Sequence, residues 1–344
     1  MPATSRDRGF HRLRVARVVD ETADTRSFVV EVPEALSSTF AYDAGQFCSF
    51  RVAIDGVHHT RCYSMSSSPA TDAELQVRVK RVPGGVVSNW MFEELAPDAE
   101  IDVQPPSGLF RLTDSTGDVV AFGGGSGITP IFSIVKSALM TTQRRVRLLY
   151  ANRDRDSVIF HDDLAALTAR YGDRLRVTHH LDVERGFVGP EVVAALLDGA
   201  TAADADFYIC GPGPFMDVVE RTLLEEGVAA GRVHIERFTP AELQPPEPIA
   251  AEPATTQVTI EVGGKIATAD HRPGTTILQV ARQLALPAPF SCEAGSCATC
   301  MAKLVEGDVT MRTNNALTPE EVADGWVLTC QSVPISARVH VIYE

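Results

Sequence analysis

Cys292-Glu293-Ala294-Gly295-Ser296-Cys297-Ala298-Thr299-Cys300 is the stretch from which the rest of the chain can be read. Its cysteines stand in a C-x4-C-x2-C spacing, and Cys330 follows 30 positions after Cys300. A [2Fe-2S] cluster needs four thiolates, and the plant type takes its first three in this spacing. Gly295 is expected to allow the tight loop, and Ser296 and Thr299 to donate hydrogen bonds to sulfur. The alternative is zinc, whose four-cysteine sites come as two short pairs. Cys330 stands alone, with no second pair. The spacing therefore predicts Cys292, Cys297, Cys300 and Cys330 as the ligands of a [2Fe-2S] cluster.

The chain around this loop has 344 residues, enough for two or three domains. Its formal charge of −14 argues against a nucleic-acid partner, because phosphate binding needs a basic surface. The acidity serves solubility, or it forms an acidic face that steers a basic redox partner. No stretch approaches the roughly 20 apolar residues of a membrane helix, so no membrane association is expected. Met1–Phe10 is polar and lacks the apolar core of a secretion signal, which predicts a cytoplasmic protein. Cys48, Cys62 and Cys210 are scattered, and the pattern is that of ligation rather than of a disulfide framework.

Three regimes precede or contain the cysteine loop. Over residues 10–114 the apolar pattern has period two, as in Leu75-Gln76-Val77-Arg78-Val79-Lys80, and Gly and Pro punctuate it. Such runs read as short antiparallel strands closing a small barrel. Over 115–239 strand candidates (Val119–Phe122, Val146–Tyr150, Leu175–His179, Asp206–Cys210, Val233–Ile235) alternate with helical stretches (Pro130–Met140, His161–Arg170, Pro214–Glu225). That alternation predicts a doubly wound parallel sheet. Residues 240–255 are rich in Pro, Ala and Glu and read as an extended linker. The last domain, 256–344, opens with a hairpin (Val258–Ile266) and a helix (Thr276–Leu284) before the cysteines.

In the barrel region Arg61-Cys62-Tyr63-Ser64 ends a strand. Tyr63 could lie against a flavin ring, Ser64 could hydrogen-bond flavin N5, and Arg61 could neutralise a pyrophosphate. Downstream, Gly84-Gly85-Val86-Val87-Ser88-Asn89 precedes a helix. Backbone N–H groups of Gly85, Val86 and Val87 could meet phosphate oxygens there, with Ser88 as both N-cap and phosphate ligand. Taken singly, Tyr63 is equally a packing aromatic and Gly84-Gly85 a hairpin turn; the pair in this order predicts FAD.

Gly123-Gly124-Gly125-Ser126-Gly127-Ile128-Thr129-Pro130 joins a strand to a helix, the setting of a phosphate-binding turn. Gly124, Gly125 and Gly127 would face the phosphates, with Thr129 as cap and Pro130 at helix position N1. Cys210-Gly211-Pro212-Gly213-Pro214-Phe215-Met216 follows a later strand, where a nicotinamide site belongs. Cys210, Gly211, Pro212 and Met216 would line it, unless Cys210 is a buried, inert thiol. Glu236 could order the hydride-transfer geometry. Phe238 could shield the flavin, or close the core. Arg153 and Asp154 fall where a dinucleotide fold meets the adenosine ribose. An arginine favours a 2′-phosphate and an acid a free hydroxyl, so these residues leave NADH and NADPH both open.

In order, these motifs and the cysteine quartet resemble the ferredoxin–NAD(P)+ reductase superfamily fused to a plant-type ferredoxin. The resemblance runs from about Leu13 to Tyr343 and is strongest to the reductase components of 3-ketosteroid 9α-hydroxylases. Arg61–Ser64, Ser88-Asn89-Trp90, Gly125–Ile131, Leu148–Asp154, Ser157–Phe160 and Ile209–Met216 carry it. It implies a multidomain β + α/β + α+β architecture: an antiparallel six-stranded flavin barrel, a nucleotide domain and a β-grasp ferredoxin domain. It implies FAD on the barrel, NADH as donor and a Rieske-type oxygenase accepting electrons at the cluster. Phenylacetyl-CoA epoxidase reductases are similar and imply NADPH. One departure stands out: members commonly carry a basic residue after the first cluster cysteine, and this chain has Glu293.

The expected chemistry is hydride transfer from nicotinamide C4 to flavin N5, with Ser64, Cys210 and Glu236 about the reacting atoms. Electrons then leave singly through the cluster, near Glu293–Ser296, because flavin can exchange one electron or two. The competing readings are the same wire serving another aromatic oxygenase, and a non-catalytic ferredoxin-like carrier or redox sensor.

Overall fold

The computed structural model describes residues 9–197, 204–238, 256–293, 295–314 and 316–343; the expected linker, 240–255, lies outside them. Two compact units result, one holding the first two sheets and one holding the C-terminal sheet. No described helix is long and apolar enough to cross a membrane.

The first sheet consists of β1 (His11–Thr22), β2 (Thr25–Glu31), β3 (Phe47–Ile54), β4 (Val57–Ser64), β5 (Leu75–Lys80) and β6 (Glu100–Val103), with helix α1 (Val86–Glu94) before β6. Its order is β4-β3-β6-β1-β2-β5, antiparallel throughout. Met65, just past β4, bridges Val77 in β5 and closes the sheet into a barrel. Leu75, Val77 and Val79 fill its core together with Phe28, Phe50 and Met91.

Arg78 breaks the expected alternation. It lies between two core valines on the opposite face of β5 and is nevertheless only 4% exposed. The reason is the layer packed over it. Arg78 Nε donates to Ser27 Oγ (3.0 Å), the guanidinium pairs with Glu21, and its carbon lies 3.3 Å from the Phe160 ring centroid. Phe160 stacks in turn on Phe132, 4.0 Å between centroids. Ser133 Oγ donates to the Ser67 carbonyl (2.5 Å), and the Ser68 and Ser137 hydroxyls meet at 2.6 Å. The barrel and the second sheet thus share one polar and aromatic seam.

The second sheet runs β7 (Val119–Gly124), α2 (Ile128–Thr141), β8 (Val146–Asn152), α3 (His161–Tyr171), β9 (Leu175–Leu181), α4 (Asp182–Arg185), α5 (Pro190–Ala194), β10 (Asp206–Cys210), α6 (Gly213–Glu225) and β11 (Val233–Glu236). All strands are parallel, in the order β11-β10-β7-β8-β9. The chain moves outward from β7 in both directions, so the loops after β7 and β10 flank the switch point where ligands of such sheets bind.

Two helix caps differ from the expected ones. Helix α1 starts at Val86 with Gly85 as N-cap, which makes Ser88 its third residue; Ser88 Oγ accepts from Val82 N–H (3.1 Å). Helix α2 starts at Ile128 with Gly127 as N-cap, because Gly125–Gly127 already coils as a 3-10 turn. Thr129 Oγ1 donates to the Ser126 carbonyl (2.8 Å) instead of capping. Pro130 is the third helical residue, tolerated because first-turn N–H groups have no intrahelical acceptor.

The C-terminal unit holds β12 (Gln257–Val262), β13 (Lys265–Asp270), α7 (Ile277–Gln283), β14 (Met301–Glu306), β15 (Val309–Met311), α8 (Pro319–Ala323), β16 (Trp326–Leu328), β17 (Ser332–Pro334) and β18 (Arg338–Ile342). The main sheet has the order β13-β12-β18-β14-β16, with β12 and β18 parallel: the grasp topology. Thr276 caps α7 in a box with Gln279. Ile277, Val280 and Ala281 seal the core against Val258, Ile260 and Val341.

Candidate functional site

Strand β4 carries Arg61, Tyr63 and Ser64 to its end, and α1 packs against that strand. Tyr63 is half-buried, its ring meeting Phe50 edge-on at 5.8 Å, and burial pushes its phenol pKa up. Arg61 Nη1 donates to the Thr60 carbonyl (2.7 Å). Ser64 is 3% exposed, and its hydroxyl meets no hydrogen-bond partner. Leaving such a group unmade costs about 1–3 kcal/mol, so this hydroxyl marks a place where a bound group completes the bonding. Val86 is exposed and Val87 buried. The first-turn N–H groups of α1 are donors for phosphate. These residues fit FAD.

At the switch point the two loops lie backbone to backbone. A Cβ on Gly127 would stand 2.2 Å from the Cys210 carbonyl oxygen and 2.6 Å from Gly211 N; one on Gly124 would stand 2.8 Å from Pro212 Cδ. Glycine is therefore required at both positions for the loops to touch. Gly125 adopts φ +52° with open space where a Cβ would stand, and its carbonyl accepts from the Tyr150 hydroxyl (3.2 Å). Cys210 is fully enclosed, and burial pushes its thiol well up, with the neighbouring Glu236 adding to the effect. It can be a wall of a nicotinamide site but not a nucleophile. Glu236 lies beside it across the β10–β11 ladder. Met216 is packed in the opposite layer, on α6 with Phe207 and Val219. Phe238 is exposed at the end of this unit. Arg153 is exposed and pairs with Asp154 at 2.8 Å. Asp154 caps the following turn through Ser157 N–H (2.9 Å), and its bonds to Ser157 and Arg153 pull its pKa down to about 2.

In the C-terminal unit the four cysteines come together as two pairs. Cys292 N–H points at Cys297 Sγ (3.4 Å), while the Cys300 and Cys330 side chains neighbour one another. Donors surround the sulfurs: Ser296 N–H to Cys292 Sγ (3.4 Å) and Gln331 Nε2 to Cys330 Sγ (3.7 Å). Thr299 Oγ1 is buried without a partner. Gly295 has φ +76°, and a Cβ there would stand 2.7 Å from the Thr313 carbonyl. A left-handed residue in such a loop lets neighbouring N–H groups converge on an anionic centre. The residues fit a [2Fe-2S] cluster.

Sequence reasoning missed Gln331, Arg282 and the Tyr343–Thr329 link. Tyr343 OH donates to Thr329 Oγ1 (2.7 Å), which donates to the Cys300 carbonyl (2.9 Å) and backs the loop. Thr329 and Gln331 flank the ligand Cys330, which was the available signal; Arg282 and Tyr343 lie ten or more positions from any ligand.

Comparison with known proteins agrees with this geometry. Three family models match: an oxidoreductase FAD-binding domain over residues 12–112, an oxidoreductase NAD-binding domain over 122–221 and a 2Fe-2S iron-sulfur cluster binding domain over 260–334. The ferredoxin reductase component of 3-ketosteroid-9-alpha-monooxygenase from Rhodococcus rhodochrous is 38% identical over 96% of this chain and 95% of its own. The chain belongs to the ferredoxin reductase components of oxygenase systems. The reductase is also 31% identical to a component of the 1,2-phenylacetyl-CoA epoxidase of Escherichia coli, over 97% of this chain and 98% of that one. Its fold matches phthalate dioxygenase reductase, a modular protein for electron transfer from pyridine nucleotides to [2Fe-2S], with a TM-score of 0.62, 24% identity and coverage of 97% and 98%. The reductase is thus an NAD(P)H-dependent oxidoreductase with FAD, nucleotide and [2Fe-2S] domains, and its family implies an oxygenase as electron acceptor.

Proposed function

We propose that this reductase draws electrons from NADH and delivers them to a Rieske-type oxygenase that hydroxylates a 3-ketosteroid in the cytoplasm. The observation that carries the reading is the near full-length 38% identity to the Rhodococcus steroid component, against 31% to the epoxidase component. When bound, FAD accepts a hydride and the cluster accepts single electrons.

The chain's own residues have definite tasks in this account. Arg61 and the first turn of α1 hold the FAD phosphates. Ser88 Oγ already accepts from Val82, so its O–H remains as a donor to a phosphate oxygen. Ser64 supplies its unpaired hydroxyl at the flavin edge. The Gly125–Gly127 turn and the Cys210–Pro212 loop form the nucleotide crevice, with Cys210 and Glu236 at its floor and Phe238 at its rim. The preference for NADH rests on Asp154. Its carboxylate stays charged at neutral pH beside Arg153, opposing a 2′-phosphate where β8 ends.

The test is steady-state NADH oxidation by the loaded reductase with a 3-ketosteroid oxygenase component. Stimulation by a 3-ketosteroid supports the assignment, and its absence alongside stimulation with an epoxidase component overturns it. For the nucleotide, kcat/KM should favour NADH, and Asp154→Asn should move the ratio toward NADPH; a wild-type preference for NADPH contradicts the reading.

A further inference from the structure

Glu293 occupies the place after the first cluster ligand, where a basic residue would offer charge to a partner. Its side chain is not offered outward. Arg282, from the last turn of α7, grips both carboxylate oxygens, Nη1 to Oε2 at 2.9 Å and Nη2 to Oε1 at 2.6 Å. The Glu293 side chain is 18% exposed, and the guanidinium lies 4.2 Å from the Phe290 ring centroid. A two-bond arginine fork on an aromatic face fixes direction as well as charge. The Glu293 backbone is held from the other side. It turns at φ +52°, a conformation that disfavours a side chain, and its carbonyl accepts from Gln331 Nε2 at 2.7 Å. The same amide nitrogen points at Cys330 Sγ, 3.7 Å away. One residue thus ties the first ligand loop to the fourth ligand, and the fork ties that loop to α7.

We propose that Arg282, Glu293 and Gln331 form a clamp that positions the Cys292 loop against Cys330 and balances the charge felt by the [2Fe-2S] cluster. Glu293 then acts on the reductase's own cluster, and its charge is withheld from the docking partner. All three are positioning residues. With the ion pair intact the loop adds no net charge beside the cluster. Loss of the cation leaves an anion that opposes reduction, and loss of the anion leaves a cation that favours it.

The experiment uses the full-length holoprotein and three readouts: the cluster midpoint potential by EPR-monitored titration, cluster loss under a chelator, and cytochrome c reduction. Arg282→Gln should lower the one-electron equilibrium about tenfold and Glu293→Gln should raise it about tenfold, each about 59 mV. The double substitution should return to within about twofold of wild type by cancellation. Arg282→Lys keeps the charge but loses the fork. It should leave the potential in place and speed cluster loss severalfold, as should Gln331→Leu, so retention tests the clamp if one variant loads poorly. NADH–ferricyanide turnover, which needs only the flavin side, serves as the folding control and should not change. Potential shifts of one sign, or none, together with unchanged cluster retention overturn the proposal. So does a change confined to the KM for cytochrome c, which would make Glu293 a docking residue.

Discussion

Substituting Gly127 by alanine tests the crevice on which nucleotide binding depends. Gly127 has φ −63° and ψ −13°, which alanine adopts without strain, so the whole effect is steric. The new Cβ would stand 2.2 Å from the Cys210 carbonyl oxygen and 2.4 Å from its carbon. Ordinary contact begins at 3.4 Å, so the two loops must part by about 1.2 Å. Both sides are backbone, one in a 3-10 turn and one at a strand end, and neither can rotate away as a side chain would. Overpacking of this kind costs about 1–3 kcal/mol. A loss of about 2 kcal/mol lowers Tm by about 4–8 °C in a unit of this size. A shift near 1 Å at a reacting site also costs about a hundredfold in rate. Stopped-flow bleaching of bound FAD by NADH should therefore slow by one to two orders of magnitude while FAD content stays full. Gly231→Ala, whose Cβ meets nothing within 4 Å, is the control and should behave as wild type. A Gly127→Ala protein with the wild-type rate and Tm would refute the packing of these loops.

Ser64→Ala should leave the FAD-free protein as stable as wild type or up to about 1 kcal/mol more stable, since it removes a buried hydroxyl without a partner. With FAD bound, its reduction by NADH should slow at least tenfold; a destabilised FAD-free protein would contradict this. Arg144→Met should cost about 3–5 kcal/mol, because it strands the buried Asp206 carboxylate 2.6 Å away. Burial raises the Asp206 pKa, but bonds from Thr113, Ser115 and Arg144 outweigh it and leave it below the ordinary value. Its stabilising contribution is thus full above the unfolded carboxylate pKa and is lost as pH falls through the lower folded one. Acid unfolding should begin at higher pH in Arg144→Met than in wild type, and coincident acid transitions would contradict the pairing.

The elements were readable where local pattern and packing agree. Val119 to Gly124 is a continuous apolar run closed by glycines, and it is the buried central strand of its sheet. The cysteine spacing needed no tertiary information, because three ligands lie within one loop. The errors fell where neighbours decide. Ser88 precedes a helical pattern like an N-cap, but the turn at Gly85 starts the helix earlier and points the hydroxyl at Val82. Thr129 yields its cap for the same reason: a 3-10 turn intervenes. Arg78 looks like a solvent-facing strand residue until Phe160, 82 positions away, covers it. Glu293 reads as an exposed acid until Arg282 is placed opposite it. Pattern reports the backbone well; which charge meets which is set by the folded chain.

One chain carries electrons from a pyridine nucleotide to a cysteine-held [2Fe-2S] cluster. Anaerobic NADH titration of the purified holoprotein, followed by EPR and visible absorbance, reads that transfer. Wild type should bleach its flavin and develop a reduced-cluster EPR signal, whereas Cys297→Ser should bleach its flavin and develop none. A wild-type protein that gives no cluster signal under NADH, or a Cys297→Ser protein whose flavin is no longer reduced, would contradict the account.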